Sequence, residues 1–172
     1  MALRTLLTEQ QLQTRIRELG ARIDEDYPDG PLLLICILKG ACFFLADLSR
    51  AIERDVVIDF MGISSYGKGK TTSGEVKVTK DLDISIEGAD VLVVEDIIDS
   101  GVTLNYLTGL LRQRKPKSVR IAALLDKPER RLRPVDVAYV GFSIPDEFVV
   151  GYGLDYGEKY RNLRDICVLD GE

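Results

Sequence analysis

The sequence predicts an α/β fold built on a largely parallel sheet flanked by helices. Three observations lead there. Short, continuously apolar runs such as Leu32 to Leu38 read as strands buried on both faces. Segments with apolar residues at helical spacing lie between them. The alternation holds over the first two-thirds of the chain, as a parallel sheet requires, because each parallel pairing needs a crossover. At 172 residues and 45% hydrophobic content, one compact domain spanning 1–172 is expected.

Taken in order, Thr8 caps a first helix with Gln11 as its capping-box partner, and Leu12, Ile16, Leu19 and Ile23 form its apolar stripe. Asp24 to Pro31 is a loop by composition. Leu32 to Leu38 is a buried strand and Ala41 to Ile52 a helix. Val56 to Met61 is a second strand. Ser64 to Gly74, rich in Gly, Ser, Thr and Lys, reads as a mobile surface loop. Glu75 to Thr79 alternates like a strand with one wet face, and Asp90 to Ile97 is a buried strand. Thr103 to Arg114 is a helix that stops near Pro116. Ser118 to Leu125, Val135 to Val140 and Ile166 to Leu169 complete the strands. Ligands of open α/β sheets sit at the carboxyl ends of strands, so Lys39, Asp96 and Lys127, at or just past expected strand ends, should gather along one edge.

Composition excludes several classes of function. A formal charge of −5 and a pI near 4.9 repel nucleic acid, so no nucleic-acid partner is expected. The longest apolar run, Pro31 to Leu38, is too short to span a bilayer, and the first residues lack an extended apolar segment, so neither a membrane nor a secretory role is expected. Cys36, Cys42 and Cys167 sit among apolar neighbours and read as buried, reduced thiols of a cytoplasmic protein. There is no His. That removes Ser–His and Cys–His catalysis and imidazole-held zinc. A metal would be bound by oxygen, which points to Mg²⁺.

The chemistry concentrates in Val91-Leu-Val-Val-Glu-Asp-Ile-Ile-Asp-Ser-Gly-Val-Thr-Leu104. An apolar run delivers Glu95 and Asp96, then Asp99, to a bend of small and hydroxyl residues at the start of a helix. Gly101 lets an anion approach the backbone, and the helix start offers free N–H groups and a positive dipole end. An ordinary strand-to-helix turn with Thr103 as N-cap would also suit the bend alone. The acid pair tips the balance, because carboxylates are costly to bury without partners. Acids beside an anion site make sense if they hold sugar hydroxyls, or a divalent metal that the ligand also touches. Neither GxxxxGK[ST] nor GxGxxG is present, which disfavours an NTPase or a dinucleotide dehydrogenase.

This stretch resembles the phosphoribosyl-pyrophosphate (PRPP) motif of the type I phosphoribosyltransferases. Leu38-Lys39-Gly40, Ser65-Tyr66-Gly67, Leu125-Asp-Lys127 and Pro145 to Asp155 follow in the order found in the hypoxanthine-guanine branch, over roughly residues 30 to 170. The resemblance implies a Rossmann-like sheet with a small hood built from both ends of the chain. It implies that Glu95 and Asp96 hold the ribose hydroxyls, directly or through Mg²⁺, and that Asp99 faces purine N7 as acid or base. Ser100, Gly101, Val102 and Thr103 would cradle the 5′-phosphate. Leu38, Lys39 and Gly40 would form the pyrophosphate loop, with a non-proline cis peptide, and Arg161 would also contact pyrophosphate. Lys127 would donate to O6, Phe148 would stack on the base, and Val149 would meet its edge through the backbone. Asp155 would serve a second Mg²⁺, and Ser65 and Tyr66 would sit on a closing lid. A homodimer or homotetramer is implied.

Ser100, Val102 and Gly153 depart from common forms of the family, but none removes a catalytic group. Taken singly, Lys127 also suits a solvated turn, Phe148 a core position and Asp155 a turn, while Arg130, Arg131 and Arg133 read as surface or subunit contact. The expected reaction is transfer from PRPP to N9 of hypoxanthine or guanine. The alternatives are a xanthine-preferring enzyme and a non-catalytic PRPP-binding regulator.

Overall fold

The computed structural model describes residues 1–65 and 76–171. Strand β1 (Ala2–Leu7) leads into helix α1 (Glu9–Asp26), then β2 (Leu32–Leu38), α2 (Cys42–Ala51), β3 (Val56–Ser65) and β4 (Val76–Lys80). β5 (Asp90–Ile98), α3 (Val102–Arg112) and β6 (Ser118–Asp126) follow. A 3-10 turn at Pro128–Arg130 precedes β7 (Tyr139–Ser143), β8 (Val149–Val150) and β9 (Ile166–Asp170).

The main sheet has the order β4-β3-β2-β5-β6-β7, parallel except where β4 pairs antiparallel with β3. Side chains alternate along each strand. Leu32, Leu34 and Cys36 of β2 therefore face one side, with Leu92 and Val94 of β5, against α1 and α2. Leu33, Ile35 and Ile37 face the other, with Val91 and Val93, against Leu104, Leu107 and Leu111 of α3. Helices on both faces are what continuously apolar strands demand. The α1 stripe is buried as expected, and Thr8 and Gln11 form both halves of the capping box.

α1 and α2 meet at Gly20. A Cβ there would lie 2.7 Å from the Ala51 carbonyl carbon and 2.8 Å from its Cβ. Gly20→Ala would gain about 1 kcal/mol of helix propensity, against an overpacking cost of roughly 1–3 kcal/mol. Net destabilisation is expected, read as a lower urea midpoint at unchanged slope. A raised midpoint would refute the close packing.

Both ends of the chain form a second sheet, order β1-β9-β8, entirely antiparallel. Its small core joins Val150, Cys167 and Leu169 to Tyr160 and Leu163.

Several expectations are corrected. β1 was not anticipated, because its residues are mostly exposed and carry no buried face to signal a strand. Ser64 and Ser65 belong to β3, not to a loop, and Ser65 pairs with Val76. Tyr66 and the rest of the expected lid, with Glu75, lie outside the described residues. β7 begins at Tyr139 rather than Val135, because its ladder with β6 starts at Ala122↔Tyr139. Val135 and Val137 instead pack on the α3 side of the sheet. Cys36 and Cys167 are buried and reduced as expected, but Cys42 is only partly covered. Among the described residues, no helix is long and apolar enough to cross a membrane.

Candidate active site

The bend after β5 is the centre of the site. The ladder between β5 and β6 continues to Ile98↔Asp126, so Glu95 and Asp96 stand inside the strand near its carboxyl end. Gly101 has φ 78°, and it, not Thr103, is the N-cap of α3. The Gly101 N-cap offers no side chain to cap the helix, so apart from Val102 N, which meets the Ser100 hydroxyl, the first-turn amides have no side-chain cap. Gly is required at 101: a Cβ would lie 2.6 Å from the Arg133 carbonyl oxygen and 2.8 Å from Val135 Cγ2. The Leu132 and Arg133 amides donate to the Ser100 carbonyl at 2.8 and 3.0 Å, fixing the bend from outside. The Ser100 hydroxyl accepts from Val102 N at 3.3 Å. A cavity of about 230 Å³ opens here, lined by Glu95, Asp99, Ser100, Gly101 and Thr103 among others.

Glu95 and Asp96 share a local electrostatic strain. Burial, and then the charge of Asp96, push the Glu95 carboxyl well above its usual range. Burial also raises Asp96, although hydrogen bonds to its carboxylate and the Arg161 charge oppose the shift. Ile97 N donates to Asp96 Oδ1 at 2.7 Å, and Asp96 N to Glu95 Oε1 at 3.1 Å. An incoming cation or hydroxyl donor would relieve this strain.

On one side of the acids lies a basic, glycine-lined corner. The Leu38–Lys39 peptide is cis. Gly40 backs directly onto Asp96, since a Cβ at Gly40 would collide with Asp96 Oδ2. Gly153 backs in turn onto the Gly40 carbonyl. Arg161 Nη1 donates to the Gly153 carbonyl at 2.7 Å, and Arg161 Nη2 lies 3.4 Å from Asp155 Oδ1. Lys39 Nζ pairs with Glu158 at 3.2 Å, an exposed contact that a polyanion could displace.

On the other side, Lys127 follows β6. It is 6% exposed, so it is not a solvated turn residue, and its Nζ lies 3.8 Å from Asp146 Oδ1. Phe148 is 52% exposed, so it is not core; its ring packs edge-on to Tyr156 with centroids 5.8 Å apart. Val149 is buried and begins β8. Arg130 lies at the surface as expected, and it also faces Asp99 and Asp146. The 3-10 turn folds it back, with Nε 3.3 Å from Asp99 Oδ1 and Nη1 3.5 Å from Asp146 Oδ2. Arg131 pairs with Asp126 across the same turn. The signal available was Pro128, which favours a helical turn start and so brings residue 130 back beside 127.

Lys39, Asp96 and Lys127 thus gather at one edge as expected, with Asp99, Asp155, Phe148 and Arg161 around them. Arg130, Asp146, Glu158 and Tyr152 are contacts that sequence reasoning did not assign.

An acid pair and an amide-lined bend at the carboxyl edge of a parallel sheet have the chemistry that suits a sugar phosphate. The chain belongs to the phosphoribosyltransferase family, whose domain model, "Phosphoribosyl transferase domain", matches residues 3–157. It is 52% identical over 166 residues to a hypoxanthine-guanine phosphoribosyltransferase of Bacillus subtilis, covering 96% of this chain and 92% of that one. It is also 52% identical over 169 residues to a bifunctional TilS/HprT protein of Listeria monocytogenes, of which it spans 26%. Among solved structures, a hypoxanthine-guanine phosphoribosyltransferase of Bacillus anthracis superposes with a TM-score of 0.94 at 50% identity, covering 96% of this chain and 98% of that one.

Proposed function

We propose that the protein is a purine-salvage enzyme. It transfers the phosphoribosyl group of PRPP to N9 of hypoxanthine or guanine, releases pyrophosphate and forms IMP or GMP. The observation that carries this is the order of groups along one edge. A cationic, glycine-lined corner, an acid pair with an amide-lined bend, and a buried lysine after the next strand succeed one another, with the half-exposed Phe148 ring at the start of the hood strand β8. That order matches pyrophosphate, ribose 5-phosphate and 6-oxopurine.

Glu95 and Asp96 hold the ribose hydroxyls. The amides and hydroxyls of Ser100, Gly101, Val102 and Thr103 take the 5′-phosphate. Lys39 and Arg161, with the backbone at Leu38 and Gly40, meet the leaving pyrophosphate. Lys127 donates to O6, Phe148 stacks on the base, and Val149 presents its backbone. Breaking the C1′–oxygen bond develops oxocarbenium character, as in glycoside cleavage. The bond to N9 forms as Asp99 takes the proton from N7.

The donors at Glu95, Asp96 and Asp155 are carboxylates, which suit Mg²⁺. Among the described residues no cluster of three or more ligating side chains forms, so substrate oxygens would complete its coordination. When bound, Mg²⁺ supplies positive charge that offsets the charge developing on pyrophosphate. Chelation is expected to abolish turnover, and added Mg²⁺ to restore it. We extend the reading to a cytoplasmic homodimer or homotetramer, which light scattering would test.

The decisive assay is pyrophosphate release dependent on both PRPP and base, with hypoxanthine, guanine, xanthine and adenine in competition. Hypoxanthine and guanine should support turnover and adenine should not, because its C6 amino group mismatches the Lys127 ammonium. Release with xanthine alone would shift the substrate, and PRPP binding without release would make the protein a regulator.

A further inference from the structure

The two halves of the pyrophosphate corner come from different parts of the chain. Lys39 and Gly40 precede α2, whereas Gly153, Asp155 and Arg161 belong to the segment between β8 and β9. Something must set the distance between them. We propose that the buried Tyr152 and the partly covered Asp47 form a latch that does so, making both positioning residues for pyrophosphate and the pyrophosphoryl end of PRPP. This inference rests on the function proposed above.

The geometry is specific. Tyr152 is 5% exposed and carries φ 49°, a left-handed conformation that a tyrosine rarely adopts. Its amide donates to the Leu163 carbonyl at 2.9 Å. The next amide, Gly153 N, donates to the Arg161 carbonyl at 2.9 Å. The backbone therefore ties Tyr152 to the segment bearing Arg161. Its side chain crosses to α2. The phenol donates to Asp47 Oδ2, lies 3.3 Å from the Phe43 carbonyl oxygen, and its ring stands 6.3 Å from the Phe43 ring. Asp47 is itself fixed, accepting from Gln13 Nε2 at 2.9 Å and Arg50 Nη2 at 2.7 Å. One turn before Phe43, Gly40 touches Gly153 on one side and Asp96 on the other.

A buried phenol on a carboxylate is a costly way to fill space, since an apolar contact would serve packing alone. What it adds is a directional, charge-assisted bond that fixes one separation. The phenol stays protonated and the carboxylate ionised at neutral pH. Burial, then Asp47, push the Tyr152 phenol far up. Burial of Asp47 is outweighed by its hydrogen bonds from Tyr152, Gln13 and Arg50, which hold it below its usual value.

The test uses the full chain and compares two ligands. Inorganic pyrophosphate with Mg²⁺ reads the corner, and IMP reads the rest of the site. Tyr152→Phe keeps the ring and its packing. It is expected to weaken pyrophosphate binding and raise KM for PRPP by about tenfold, the worth of one charge-assisted hydrogen bond. IMP affinity and KM for hypoxanthine should stay within about twofold, inside the scatter of such measurements. Asp47→Asn, which keeps an acceptor, should lose less than Asp47→Ala, and Asp47→Ala combined with Tyr152→Phe should lose no more than Tyr152→Phe alone. Equal weakening of pyrophosphate and IMP would reduce the pair to general scaffolding and overturn the latch. So would unchanged pyrophosphate affinity in Tyr152→Phe. Failure of the unaltered protein to bind pyrophosphate at all would instead overturn the functional reading on which the latch depends.

Discussion

Asp99→Asn is expected to slow turnover at least about tenfold while PRPP still binds, because general acid–base catalysis is typically worth about 10²–10⁴-fold. Asn matches the size of Asp but cannot accept the N7 proton. The substitution should not act through folding. Asp99 and its partner Arg130 are each about half exposed, at 49% and 52% of their side chains, and an ion pair of that kind contributes about 0–1 kcal/mol. The phosphate bend is held by the amides of Leu132 and Arg133 on the Ser100 carbonyl, so it survives the change. Single-turnover rates at saturating PRPP and hypoxanthine, beside PRPP binding by calorimetry, separate the two effects. Unchanged turnover would remove Asp99 from the mechanism. Arg130 Nε lies 3.3 Å from Asp99 Oδ1, so in the proposed mechanism the purine would compete with that guanidinium.

The second large effect is expected at Lys127. Lys127→Ala should weaken hypoxanthine and guanine by roughly 10- to 100-fold, the range for a lost hydrogen bond to a charged group in a buried site. PRPP affinity should change little, because Lys127 lies on the far side of the acid pair from Lys39 and Arg161. Stability should fall only modestly. The partner left behind, Asp146, has a side chain 44% exposed, so no buried charge is orphaned. Equilibrium binding of each ligand alone gives the comparison. Equal losses for base and PRPP would count against contact with O6.

The ease with which the central motif was read has a physical cause. In Val91 to Ile98 the apolar run, the acids and the bend are contiguous, and each property is local. Apolar side chains mark a strand covered on both faces, and paired carboxylates at its end are costly to bury without partners, which draws attention to them. Thr8 with Gln11 and the α1 stripe are legible for the same reason, because capping and helical periodicity act within a few residues. Phe148 and Lys127 could not be weighed that way. Exposure removes only the bland readings of each, since the ring is half out of the protein and the lysine nearly enclosed.

Other features depend on pairings distant in sequence. β1 has no buried face of its own and exists because β9 offers it an edge. The start of β7 is set by its register on β6, not by the apolar residues before it. Arg130 looked like one member of a basic cluster until the turn at Pro128 set it against Asp99 and Asp146.

By itself, then, the chain's order of residues determined the layered architecture, the acid-and-bend motif and the family, since these follow from periodicity and from chemistry concentrated in short segments. Only the folded arrangement decided which charges face one another, where strand ladders begin, and how Tyr152 reaches Asp47. Those outcomes depend on distances between segments far apart in the chain, and such distances are set by packing the whole protein at once.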